Sequence, residues 1–182
     1  EALSPPEVVR QLNEYHQAML DVIDRHGGSL DKFIGDGALV VFGLALPGDT
    51  PRVDAGAGDA VACARAMLDA IEDLNGRRGE RGEPPLKFGI GIRTGSVVAG
   101  NIGAPSRRME FTVIGDTVNT AARLESHTKE AGVPVIASEA TTSRLGSTEG
   151  FRALPPVQLR GRAATLGIVA VERIGMRVAA SA

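Results

Sequence analysis

Phe111-Thr112-Val113-Ile114-Gly115-Asp116-Thr117-Val118-Asn119-Thr120-Ala121-Ala122-Arg123-Leu124-Glu125 passes from a strand through a tight turn into a helix. Phe111, Val113 and Ile114 favour extended backbone. Gly115 breaks the strand, and Asp116 suits the N-cap of a helix opening at Thr117. Asn119 and Arg123 fall four apart and project from one face of the first two turns. Thr112 lies on the incoming strand. An amide, a guanidinium and a hydroxyl are thus presented near a helix N-terminus, whose free N–H groups suit an anion. Taken singly, an Asn/Arg pair on a helix is more often solvated surface.

Upstream, Ser29 to Ile34 and Ala38 to Phe42 read as short strands joined by a Gly35-Asp36-Gly37 hairpin. Read alone, those three residues are simply a good turn. Leu86, Phe88, Ile90 and Ile92 line one face of a long strand, opposite Lys87, Gly89, Gly91 and Arg93. Glycines on one strand face indicate that something packs very close. Thr94 to Gly103 is read as continuing that strand, with a loop at Ala104 to Arg108. No Lys-Ser/Thr follows a Gly-rich turn, which excludes a Walker-type phosphate loop.

The remaining elements alternate helix and strand. Ser4-Pro5-Pro6-Glu7 opens a helix with a capping box, and Val8, Leu12, Tyr15, Met19, Leu20 and Ile23 give it an apolar stripe. A second amphipathic helix carries Ala57 to Leu74 and is expected to stop near Gly76, with a connector over Arg77 to Pro85. After the Asn119/Arg123 helix, Gly132 is the stop. A strand over Val133 to Ala137 and a short helix capped by Ser138 follow. Phe151 to Leu154, Val157 to Leu159 and Leu166 to Glu172 form a closing meander. Residues 1–175 are expected to form one domain, and residues 176–182 a tail.

Composition narrows the function. The 182 residues carry a net charge of −2 with 3% aromatics and no Trp, which argues against nucleic-acid binding. The single cysteine, Cys63, cannot form an internal disulfide and lies among apolar residues at helical spacing. The longest apolar run, Ala38 to Leu46, is too short to span a bilayer, so no membrane contact is expected. A cytoplasmic setting fits these features.

Both the Phe111–Glu125 string and the Asp31-Lys32-Phe33-Ile34-Gly35-Asp36-Gly37 hairpin resemble the class III nucleotidyl cyclases, the adenylate/guanylate cyclase catalytic domains. The resemblance spans nearly the whole chain. It implies an α/β sandwich with a ferredoxin-like, palm-type mixed sheet and flanking helices. It also implies roles. Asn119 orients the ribose and Arg123 stabilises the phosphoryl transition state. Asp36 is one of two carboxylates holding two Mg2+ ions, for which Mn2+ can substitute. Lys32 and Thr112 read the base, and Arg160, in Leu159-Arg160-Gly161-Arg162, reaches the triphosphate. The family assembles sites between subunits, so a homodimer is expected.

The base can be argued from hydrogen-bond polarity. Lys32 has only donors and suits adenine N1, and Thr112 can accept from the 6-amino group. The substrate expected is therefore ATP, and the product 3′,5′-cyclic AMP. The Lys/Thr pair resembles a subgroup some of whose members respond to bicarbonate. The family's first metal-binding Asp lies on a strand before the first helix, and the sequence starts after it. The first strand is accordingly expected to be missing, and these residues alone to be inactive. The alternatives are a non-catalytic cyclase-homology module and a guanylate-specific cyclase. A diguanylate cyclase would need a Gly-Gly-(Asp/Glu)-(Glu)-Phe hairpin, which is absent.

Overall fold

The first helix, α1 (Pro5–Arg25), opens on the capping box: the Ser4 amide donates to the Glu7 carboxylate at 2.7 Å. Met19, Val22 and Ile23 are buried, but Val8 is 40% exposed, so the apolar stripe meets the core only in its later turns. The structure, a computed structural model, describes residues 4–45, 50, 52–158 and 165–174.

Strands β1 (Ser29–Ile34) and β2 (Gly37–Val41) form the expected antiparallel hairpin, with Ile34 opposite Gly37 across the Gly35–Asp36 turn. Leu30 pairs with Val40 and Lys32 with Leu39, so Asp31 is the extra residue of a β-bulge.

Helix α2 (Val53–Glu80) runs past the stop expected near Gly76 and absorbs the first part of the expected connector. Its end is set by a side chain instead of a glycine. Arg78, 2% exposed, lies 2.9 Å from Glu83 and 3.6 Å from Glu14, and donates to Gln11 and to the Pro84 carbonyl. A buried guanidinium with this many partners outweighs the helix cost of two glycines, which is about 1 kcal/mol each.

Strand β3 (Ile90–Ile92) is much shorter than the long strand expected. Asn75 explains part of the loss. Its amide donates to the Leu86 carbonyl at 2.9 Å and accepts from the Leu86 N–H at 2.7 Å. The Leu86 backbone is thereby satisfied without a strand neighbour. Phe88, Ile90 and Ile92 nonetheless pack on the core as their alternation predicts.

The stretch after β3 does not continue it. Strand β4 (Val98–Ala104) turns back into β5 (Arg108–Ile114), forming a second separate hairpin. Arg108, expected in a loop, pairs with Ala104.

Helix α3 (Asp116–Ala131) is capped by Gly115 and not by Asp116, which sits in the first turn, and it ends at a left-handed Gly132. Strand β6 (Val135–Ser138), helix α4 (Glu139–Thr142), β7 (Phe151–Val157) and β8 (Leu166–Val171) complete the chain. The two strands expected over residues 151–159 are one, β7, with a register shift between Leu154 and Val157, where two prolines cannot donate.

The main sheet has the order β3-β6-β8-β7, with β3 parallel to β6 and the other pairs antiparallel. Alternation along β6 builds the layers. Val135 and Ala137 pack with Val61, Ala64 and Leu68 of α2, and Ile136 packs with Leu124 of α3 and Ile168 of β8. The result is a mixed sheet with flanking helices. Among the described residues no helix is long and apolar enough to cross a membrane.

Candidate functional site

Helix α3 is held against β3 by glycines. A Cβ on Gly91 would fall 2.2 Å from the Ala121 carbonyl oxygen, and one on Gly89 would fall 2.4 Å from Thr128 Oγ1. Gly115 adopts φ +143°, which side chains rarely allow, and turns β5 into α3. The Thr117 hydroxyl then donates to the Ser96 carbonyl at 2.7 Å and ties the helix start to the segment before β4. Asn119 is exposed and Arg123 half-buried. Neither side chain has a hydrogen bond or ion pair with a described residue, so an amide and a guanidinium stand free on the first turns.

The structure brings Lys32 and Thr112 together from different hairpins. Thr112 is buried on β5, and its hydroxyl donates to Asp31 Oδ2 at 2.7 Å. Lys32 Nζ lies 3.7 Å from the same oxygen and 3.7 Å from Glu110 Oε1. Sequence reasoning missed Asp31 and Glu110. Strict strand alternation points Asp31 and Lys32 to opposite faces. The bulge removes that separation, and no residue type in the sequence announces it.

Asp36 sits exposed at the tip of the β1–β2 hairpin, apart from that cluster. Helix α1 steadies the tip: His16 Nε2 lies 3.2 Å from the Asp36 carbonyl, and its ring stacks on Phe33 at 4.3 Å. Burial, with Asp36 and Glu125 adding to it, pushes the neighbouring Tyr15 phenol up to about 12, so Tyr15 stays neutral. Arg160, the expected triphosphate contact, lies outside the described residues.

A divalent ion of the magnesium class takes about six oxygen ligands. Among the described residues no three His, Cys, Asp or Glu side chains converge, so Asp36 by itself does not make a two-ion site.

Residues 1–170 match the family model for the adenylate and guanylate cyclase catalytic domain. Adenylate cyclase 1 of Rhizobium meliloti (strain 1021) is 34% identical over 171 residues, covering 94% of this chain and 25% of its own length. An adenylate cyclase of Anabaena cylindrica is 36% identical over 151 residues, covering 83% of this chain and 29% of its own length. The chain thus spans about a quarter of these relatives. Among solved structures, the guanylyl cyclase Cya2 superposes with a TM-score of 0.80 at 38% identity, covering 98% of this chain and 86% of that one. The adenylyl cyclase CyaB from P. aeruginosa superposes with 0.82 at 31% identity, covering 93% and 84%.

Proposed function

The chain belongs to the adenylate and guanylate cyclase catalytic domain family, and from that premise we propose that it converts ATP to 3′,5′-cyclic AMP and pyrophosphate. The observation that carries the choice of ATP is the meeting of Lys32 and Thr112 on Asp31. An ammonium offers donors to adenine N1, and a hydroxyl can accept from the 6-amino group.

In this reading the ribose 3′-oxygen bonds to the α-phosphorus as its proton passes to water. The bond from that phosphorus to the bridging oxygen breaks, and pyrophosphate departs with the electron pair. The free Asn119 amide holds the ribose in line. The free Arg123 guanidinium meets the charge growing on the phosphoryl oxygens. Two Mg2+ ions are the cofactor implied, with Mn2+ as a substitute. Asp36 supplies one carboxylate. With one carboxylate for two ions, these 182 residues alone are proposed to be inactive.

The active form proposed is a homodimer. Asp36 of one subunit serves a site whose Lys32, Thr112, Asn119 and Arg123 belong to the other. The β4–β5 hairpin supports this by exposing Val98 (65%) and Ile114 (49%), which pair directly across the two strands. Bicarbonate is the proposed regulator.

The full-length native protein, incubated with Mg2+ and either ATP or GTP, tests the reading. Cyclic AMP as the dominant product is expected. Dominant cyclic GMP would favour the guanylate reading, which the similarity to Cya2 keeps in view. Neither product would identify a cyclase-homology module without catalysis.

A further inference from the structure

We propose that Asp31 sets the polarity of the base-reading pair: its carboxylate accepts the one hydrogen bond that the Thr112 hydroxyl can donate, leaving that oxygen able only to accept from the base. Asp31 is thereby a positioning residue for base choice, acting through Thr112. The inference rests on the nucleotide-cyclase reading above.

A threonine hydroxyl carries one donor and two acceptor lone pairs, and its hydrogen turns to suit whatever lies opposite. A free Thr112 could accept from the adenine 6-amino group or donate to the guanine 6-oxo group. By itself it does not discriminate. The Asp31 side chain is only 6% exposed, and its Oδ2 lies 2.7 Å from Thr112 Oγ1. An ionised carboxylate only accepts, so the hydroxyl proton has one destination. The lone pairs left over favour a donor on the base and oppose the guanine oxygen.

The backbone builds this arrangement. Glu110 and Thr112 are two apart on β5 and share one face. Lys32 reaches Glu110 and Asp31 reaches Thr112, so both side chains of the β1 pair meet that same face. A regular strand cannot do this with consecutive residues, and the bulge at Asp31 does. Lys32 Nζ, 3.7 Å from Asp31 Oδ2, also keeps the buried carboxylate beside a positive charge.

The test is Asp31→Asn in the full-length protein. Affinities for ATP and GTP are read by competition against a fluorescent nucleotide, and kcat/KM is measured for both. An asparagine amide can donate to the Thr112 oxygen and turn its proton toward the base. The GTP-to-ATP ratio should then rise about tenfold. Adding Asp31→Asn to Thr112→Val should leave the ratio where Thr112→Val alone puts it, because no hydroxyl remains to act through. An equal loss for both nucleotides in Asp31→Asn, with the ratio unchanged, overturns the inference while leaving the cyclase reading intact. A native protein that binds neither nucleotide defeats both, and one that prefers GTP overturns the inference together with the choice of ATP. Should Asp31→Asn fail to fold, Thr112→Ser decides. It keeps a hydroxyl under Asp31 and should hold the ATP preference within about threefold. Loss of the preference there overturns the proposal.

Discussion

Gly91 of β3 lies directly beneath Ala121 of α3, so close that a Cβ would stand 2.2 Å from the Ala121 carbonyl oxygen. That contact fixes the height of the helix bearing Asn119 and Arg123 above the sheet. Backbone cannot give way as a flexible side chain can. Gly91→Ala should cost about 1–3 kcal/mol of stability and shift both free side chains. Thermal unfolding and cyclase turnover should both fall. A native melting profile with full activity would refute the role given to this contact.

Among the described residues Arg123 has no hydrogen-bond or ion-pair partner, so removing it leaves no buried group there stranded. Arg123→Ala should therefore fold normally. It should lower turnover by roughly 10²–10³ while changing ATP affinity far less, as expected of a donor acting on transition-state charge. Parallel loss of binding with turnover intact would reassign Arg123 to holding the ground state.

Assembly predicts complementation. Asp36→Ala and Arg123→Ala chains, each strongly impaired alone, should regain partial activity when mixed, since one composite site then keeps both residues. The check is cyclic AMP formation across mixing ratios, with association followed by sedimentation. Stable mixed dimers without recovered activity would place Asp36 and Arg123 in the same subunit's site.

Reversing Lys32 meets an obstacle the sequence did not reveal. Lys32→Glu puts a third carboxylate within reach of Asp31 and Glu110, each now 3.7 Å from the ammonium. ATP use should collapse and stability should drop, because like charges crowd a partly buried site. Combining it with Thr112→Gly should restore only slight GTP use, since Asp31 then loses its donor as well. Unchanged ATP preference in Lys32→Glu would show that this side chain does not touch the base.

Cys63 is 2% exposed, and burial pushes its thiol from an ordinary 9.0 up to about 11. The native protein should resist thiol reagents at pH 8 and react only on unfolding. The raised value also has a sign for stability. The neutral thiol's contribution is complete below pH 9.0 and is lost as pH rises toward 11. Cys63→Ala should flatten that alkaline decline in urea-melt midpoints. Rapid labelling of folded protein would contradict this environment.

What was legible in the sequence follows the reach of each signal. Local chemistry was readable: the Ser4–Glu7 cap, the Gly35–Asp36 turn and the Gly132 stop all depend on neighbours in the chain. The close approach at Gly89 and Gly91 was also visible, because small residues on one face leave a mark in the alternation. The end of α2 was not, since Gln11 and Glu14, which help bury Arg78, lie on another helix. The separate β4–β5 hairpin was hidden by the continuous strand-like composition of residues 86–103. At the candidate site, Lys32, Thr112, Asn119 and Arg123 were singled out through the family resemblance of their two stretches. Asp31 was not, because its contact with Thr112 spans two hairpins and depends on a bulge.

That bulge separates residue count from residue identity. Deleting Asp31 closes Leu30 against Lys32 and leaves every pair from Lys32↔Leu39 to Ile34↔Gly37 in place. Deleting or inserting a residue between Lys32 and Ile34 instead moves Asp36 off the second turn position and reverses the facing of what lies beyond. The two halves of one short strand therefore differ in their tolerance of length changes. Loss of a single residue at the bulge would remove the restraint on Thr112 while the hairpin, its turn and its carboxylate stay where they are.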